Sequence, residues 1–380
     1  MTAPRLSVVI PSFNRIDGLR LVLEGYEAQR PRDLPFEVVV VDDGSDDGTS
    51  DMLAGWRSSR FRLRFDRQAN QGPARARNRG LEIVSGEIVL FGGDDIEPHP
   101  RQIAEHLREH DRRADFRTAV LGLTRWPDSM ALTSTMRHID GPGGQQFSYA
   151  AFDDGAEYDF RHFYTSNVSI SRRMLAMEPA GFSDEFPSAA FEDAELAYRL
   201  SGKGMRIVYH QAAEAWHHHP YDARSFFRRQ VTCGEMAEVL IRQHPQLAKW
   251  TELDELGWSR IEFLAAGDRH RRAVDRVASE LDRWERRVID LAVFLDHPPT
   301  AIADPLLQPL FRYGFLKGLA RAHYGNRVGG RLAAGWWFRM LPQAVEDLAL
   351  RAAEEGVPLP RSDLAAVLGM HFAALGVDPV

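Results

Sequence analysis

Three pairs of adjacent acids and one run of histidines hold the residue types that acid–base, metal or phosphate chemistry needs. Val41-Asp42-Asp43-Gly44-Ser45 closes an apolar run, and a carboxylate there can accept hydrogen bonds from a base or a ribose. The same Asp-Gly-Ser is also ordinary turn and helix-cap chemistry. Gly92-Gly93-Asp94-Asp95 follows the run Glu87–Phe91. Two carboxylates there suit a hard divalent cation that holds phosphates, since Mg²⁺ takes few protein ligands. A solvated acidic turn is the alternative. Phe191-Glu192-Asp193 opens a helical stretch, where acids are favoured by the helix dipole and where one can also serve as a general base. Trp216-His217-His218-His219 offers imidazoles for a metal or a phosphate, but three consecutive residues of an extended segment cannot all face one way. Asn70-Gln-Gly-Pro-Ala-Arg75-Ala-Arg77-Asn78 leads into a helix. A helix start with arginines is a reasonable anion site, and exposed helix charges fit the spacing equally.

The elements that must hold these residues alternate in period. Leu6–Pro11, Phe36–Val41, Phe61–Phe65 and Glu87–Phe91 read as buried strands. Ile16–Gln29, Thr49–Trp56 and Pro73–Val84 read as helices between them, with Pro73 suited to a first turn. Such alternation builds a parallel sheet with right-handed crossovers, and ligands of such sheets gather beyond the carboxyl ends of the strands. Both Asp42-Asp43 and Asp94-Asp95 fall at such ends. Further on, Pro98–His110 and Glu192–Gly202 read as helices, and Phe116–Leu123 and Arg206–Tyr209 as strands. Arg125 to about Tyr164 reads as irregular, which inside a compact domain points to a functional loop. From about Asp222 the pattern is nearly all helical, with an apolar stripe along Ala273–Phe294.

Composition narrows the classes. The 380 residues are 44% hydrophobic and 27% charged, which excludes a disordered chain, and the length predicts two domains or one large domain with an extension. Lys and Arg total 47 against 54 Asp and Glu, a net charge of −7 that argues against nucleic acid as a partner. Cys233 is the only cysteine, so neither an internal disulfide nor a cysteine-based zinc site is available. No run of 18 apolar residues occurs, and Leu6–Pro11 is too short for a signal-peptide core. A cytoplasmic chain is expected, touching a membrane only peripherally. Gly335-Trp-Trp-Phe-Arg-Met-Leu341 is the segment that raises such contact, with a buried core helix as its other reading. No Walker loop, Rossmann G-x-G-x-x-G or G-x-S-x-G elbow occurs, which disfavours dehydrogenases and hydrolases.

The order of the motifs carries more than any one of them. Ser7-Val-Val-Ile-Pro-Ser-Phe-Asn-Arg15 is followed by Val-Asp-Asp-Gly-Ser45, Asn70 with Ala-Arg-Asn78, and Gly86-Glu87 before the acidic loop. Then come Ser166-Asn167, Gly181-Phe-Ser-Asp-Glu-Phe186, Glu192-Asp193 with Arg199-Leu200, and Ala213-Glu-Ala-Trp-His217. Over roughly residues 5–230 this series resembles the family 2 inverting glycosyltransferases. The resemblance implies an α/β, Rossmann-like, glycosyltransferase-A-type domain with a mainly parallel central sheet over 1–222. Its nucleotide-binding half would cover about 1–97 and its acceptor half about 98–222, with a helical C-terminal region over 223–380.

By the family pattern Pro11, Phe13, Asn14, Arg15 and Asp42 or Asp43 line the base and ribose pocket. Asn70, Arg77, Asp94, Asn167 and Glu192 complete the nucleotide-sugar site. The same pattern implies that Asp95 and His217 would hold Mn²⁺ or Mg²⁺ and that Asp193 would be the base that deprotonates an acceptor hydroxyl. One departure stands out: Gly93 replaces the usual first acid of the D-x-D metal motif. It keeps open a catalytically inactive sugar-nucleotide-binding or scaffold protein. A nucleotidyltransferase would leave Glu192-Asp193 and His217 without a role. The implied partners are a nucleotide-sugar donor, with a family lean to UDP, and a hydroxyl acceptor that is a glycan, a lipid-linked group or a small molecule. The helical region is expected to supply an acceptor platform, an oligomer contact or a membrane-facing surface.

Overall fold

The computed structural model describes residues 3–141, 143–147, 149–251, 253 and 268–359. The chain forms, in order, β1 (Leu6–Ser12), α1 (Ile16–Glu27), β2 (Phe36–Asp42), α2 (Thr49–Gly55), β3 (Arg62–Arg67) and α3 (Pro73–Ile83). There follow β4 (Ile88–Phe91), β5 (Ile96–Pro98), α4 (Gln102–Arg113), β6 (Thr118–Arg125) and α5 (Ser134–Asp140). Next are β7 (Glu157–Tyr158), β8 (Val168–Ser171), α6 (Arg172–Leu175), α7 (Glu192–Ser201) and β9 (Arg206–His217). The long helices α8 (Ala223–Gln243), α9 (Asp268–Phe294) and α10 (Asp304–Glu354) come last. Two compact units result: Met1–Met130 with Ala151–His219, and Ala131–Ala150 with the residues from Pro220 on. The segment 131–150, read from sequence as part of a continuous 1–222 domain, groups with the helical unit.

In the first unit the strands order as β3-β2-β1-β4-β8-β6-β9-β5, with β7 on β9. β3, β2, β1 and β4 are mutually parallel, as are β6 and β9. β8 is antiparallel to both of its neighbours. β1 and β2 are apolar runs because helices cover both faces, leaving no residue between Val38 and Val41 in contact with water. Leu19, Val22, Leu23 and Tyr26 supply α1's side of that core. Several elements differ from the sequence reading. The helix expected from Pro98 starts at Gln102, because Ile96–Pro98 is taken up as an edge strand. β9 runs on to His217, and β8, only four residues with alternating serines, was not foreseen. The stretch expected to be irregular contains α5 and β7.

The second unit is held by a buried carboxylate. Asp296 is fully buried; its two oxygens accept from the amides of Thr135, 2.8 Å, and Ala223, 2.8 Å, in the first turns of α5 and α8. Each helix start leaves amides without intrahelical partners, so one acid serves two ends. Thr133 donates to Tyr221 O and His138 pairs with Asp304, which fixes the rest of α5. Trp336 and Trp337, from the aromatic segment considered as a membrane contact, are buried beside Tyr313. Among the described residues no helix is long and apolar enough to cross a membrane.

α8 and α10 approach so closely that a Cβ on Gly234 would overlap Phe315 O, and one on Gly318 would overlap Val231 O. Gly234→Ala should therefore force the helices apart, lowering stability by about 1–3 kcal/mol. Urea unfolding followed by tryptophan fluorescence measures this, and an unchanged midpoint would contradict the close crossing.

Candidate active site

Strand direction gathers the chemistry. β1, β2 and β4 are parallel, so Ser12–Arg15, Asp42–Ser45 and Gly92–Asp95 leave the sheet at one edge. β8 is antiparallel with Val168 opposite Phe91, so the residues that lead into it, Thr165 among them, lie at that same edge. β9 ends there too, with His217 opposite Ile96 of β5.

Past β2, both acids are taken up by backbone amides together with one side-chain donor each. Asp42 is fully buried and accepts from Ser45 N, 2.8 Å, and from the Ser50 hydroxyl. Asp43 accepts from Gln68 Nε2, 2.7 Å, Gln71 N, 3.0 Å, and Gly72 N, 2.8 Å, which fixes the loop before α3. Gly44 has φ +91°, and a Cβ there would lie 2.8 Å from Asn70 N, so the two loops touch backbone to backbone. Asn14, at φ 52°, locks onto this loop: its amide donates to Ser45 Oγ, 2.9 Å, and its Oδ1 accepts from Asp46 N, 2.9 Å. Pro11 stays within β1, whereas Phe13 is 45% exposed, a bare aromatic face at the mouth.

Past β4, Ser12 donates to Asp94 Oδ2 at 2.9 Å, and Arg15 reaches Asp95 Oδ2 at 2.6 Å and His219 Nδ1 at 3.0 Å. Burial, reinforced by the Asp95 charge, pushes the Asp94 carboxyl up. Burial pushes Asp95 up as well, but the nearby His217 and the charges of Arg15 and His219 outweigh it and hold Asp95 well below the usual range. His217 Nε2 stands 3.7 Å from Asp95 Oδ2, with the Trp126 ring centroid 6.2 Å and the His219 ring centroid 6.0 Å from its own, both near parallel to it. His218 turns away to Glu97, 2.6 Å, as the alternation of an extended segment requires.

The third cluster is buried. Arg77, on α3, pairs with Glu192 at 2.8 Å, the two side chains being 9% and 3% exposed. The Arg77 guanidinium lies 5.6 Å from the Phe182 ring centroid. Phe191 takes a left-handed φ of 65° and so turns the chain into α7 with Glu192 inward. Asp193 beside it is partly exposed; Ala194 N donates to it at 2.8 Å and Thr165 N at 3.5 Å. Burial and the Glu192 charge push its carboxyl up to about 6 against the pull of Arg77.

One expected ligand is not at the site. Asn167 is fully buried. β6 and β9 lose register between Gly122 and Thr124, and Asn167 Nδ2 donates to Leu123 O, 3.0 Å, and Ala213 O, 2.7 Å, across that bulge. Its Oδ1 accepts from Gln102 and His106, both at 2.9 Å. Burial drops His106 to about 3, which keeps the imidazole neutral inside the network. Sequence reasoning missed Ser12, Trp126 and Thr165, and named His219 only as a member of the histidine run. Trp126 lay in the stretch read as irregular, and Thr165 acts through its backbone, which leaves no mark in residue type.

Mn²⁺ or Mg²⁺ needs oxygen or imidazole donors. Among the described residues no group of three or more acidic, histidine or cysteine side chains converges for a metal. Asp95 and His217 face each other with one oxygen and one nitrogen. That pair fits a cation which takes its other ligands from phosphate and water.

Residues 7–163 match the family described as Glycosyl transferase family 2. Validoxylamine A glucosyltransferase of Streptomyces hygroscopicus subsp. limoneus is 27% identical over 320 residues, 73% of this chain and 68% of that one. The uncharacterized glycosyltransferase YfnE of Bacillus subtilis is 35% identical over 120 residues, 31% of this chain and 30% of its own. In fold the chain is similar to mannosyltransferase PcManGT from Pyrobaculum calidifontis, solved with GDP-Man and Mn²⁺. The TM-score is 0.50 at 17% identity, covering 99% of this chain and 87% of that one. The fold is glycosyltransferase-A-type, a mixed, mainly parallel sheet with a helical C-terminal region. The match to glycosyltransferase family 2 covers residues 7–163, and the chain is a glycosyltransferase.

Asn167→Ala should unfold the protein at lower temperature by stranding buried carbonyls, each costing about 1–3 kcal/mol. Nucleotide affinity of the folded fraction should stay near wild type. Calorimetry paired with nucleotide titration separates the two, and a large loss of affinity at unchanged stability would return Asn167 to the ligand set.

Proposed function

We propose that the protein moves a sugar from a nucleoside-diphosphate sugar, UDP-linked by the family lean, to an acceptor hydroxyl with inversion, using Asp193 as general base. The observation that carries this reading is the state of Asp193. It is a partly exposed carboxylate at the catalytic edge, aimed by two backbone amides and held at about 6, near the pH at which it must take a proton. The acceptor oxygen attacks the anomeric carbon from the face opposite the diphosphate while Asp193 takes its proton. The carbon–oxygen bond to the diphosphate breaks, and the nucleoside diphosphate leaves with the electron pair. One displacement inverts the centre.

Phe13 is placed to stack on the base, and Asn14 with the Asp42–Ser45 loop shapes the ribose end. Asp42 and Asp43 build that pocket through the backbone they hold, with Asn70 against their loop. Arg77 and Glu192 fix the start of α7 and so the aim of Asp193. Asp95 and His217 would hold the cation, which when bound offsets charge on the diphosphate. The GDP-Man and Mn²⁺ named for PcManGT support a nucleotide-sugar donor with a divalent ion. The acceptor is a hydroxyl of a glycan, lipid-linked group or small molecule.

Asp193→Asn should leave donor binding close to wild type and reduce turnover by orders of magnitude. In the wild type kcat should fall as pH drops through about 6, because the base must be ionised. For stability the sign is opposite. A carboxyl raised from 3.8 to about 6 favours the protonated native state, so its stabilising contribution is full below about 4 and is lost as pH rises through about 6. Asp193→Asn should therefore raise Tm at pH 8 and change it little at pH 4. Surviving turnover in this variant would place the base elsewhere.

A further inference from the structure

Where a divalent ion would sit on Asp95, the protein already holds a cation of its own. Arg15 donates to Asp95 Oδ2 at 2.6 Å, touches His219 Nδ1 at 3.0 Å and stands 3.9 Å from Asp94 Oδ1. Asp95 Oδ2 is also the oxygen nearest His217 Nε2, at 3.7 Å, so guanidinium and metal would share the same donor atom. The departure at Gly93 sharpens the conflict. It removes one negative charge from the loop, and a Cβ there would lie 3.0 Å from Asp95 Oδ1, so the glycine leaves room for the Asp95 carboxylate in this pose. Two acids facing one arginine and two imidazoles make a weak attractant for a bare divalent ion, and a second cation on Asp95 Oδ2 is repelled by the first.

We propose that Arg15 is a resident cation latch. It occupies Asp95 when no nucleotide is bound, and transfers to the diphosphate when the donor arrives, freeing Asp95 for the metal. Arg suits both positions, since its fork pairs equally with carboxylate and phosphate. The exchange makes metal and nucleotide binding interdependent, each strengthening the other by the same factor. This inference rests on the assignment of Asp95 and His217 as cation ligands.

The test is Mn²⁺ binding to the full chain, followed by the electron paramagnetic resonance of free Mn²⁺, with and without UDP or GDP. Wild type should bind Mn²⁺ alone at least tenfold more weakly than Arg15→Gln, and added nucleotide should tighten wild type far more than the variant. Arg15→Lys, which keeps the charge and loses the fork, should fall between the two and serves if Arg15→Gln does not fold. Nucleotide-dependent Mn²⁺ binding in wild type, with Arg15→Gln no tighter on Mn²⁺ alone, would overturn the latch and leave the cation site standing. No Mn²⁺ binding by any form under any condition would overturn both.

Discussion

β8 runs against β4 on one side and β6 on the other, and that reversal decides what reaches the catalytic edge. A parallel strand in its place would bring its approach to the far edge, and Thr165 could not donate to Asp193. Because Val168 lies opposite Phe91, the chain entering β8 lies beside the acidic loop leaving β4. One residue before Val168, Asn167 spends its amide on the bulge between β6 and β9, which lets β9 resume pairing and carry His217 to Asp95. One four-residue strand and the residues that lead into it thus bring Thr165 to Asp193 and support the strand that carries His217.

The acids at that edge separate by what already answers their charge. Asp42 and Asp43 are satisfied by amides, an amide side chain and a hydroxyl, Glu192 by Arg77, and Asp95 by Arg15 with His217. Asp94 and Asp193 are left with burial and a like-charged neighbour as their leading influences, and they are the two whose carboxyls are pushed up. Structure consumes the first group and leaves the second with an enhanced hold on protons, which is where acid–base behaviour concentrates.

The first hundred residues were legible because long Val- and Ile-rich runs and amphipathic helices state their own period. The acidic pairs were legible as strand ends, and the histidine run as an alternation, which His218 obeys. What stayed hidden depends on contacts distant in sequence. β8 has no apolar run to announce it, since two of its four residues are serines that bond inward. Asn167 looked like a ligand because of the family resemblance; the bulge that its amide bonds exists only once β6 and β9 have met. Segment 131–150 read as a loop because its partners, Tyr221, Asp296 and Asp304, lie far along the chain.

That last feature bears on synthesis. The segment carrying α5 leaves the ribosome well before α8, α9 and α10, and Thr133, Thr135 and His138 bond groups in or beside those helices. Domains usually close in order of emergence. Here the catalytic unit must complete itself around an excursion whose own partners have not yet been made. A chain ended at Pro220 would carry α5 without Tyr221, Asp296 and Asp304, the distant groups that Thr133, Thr135 and His138 bond.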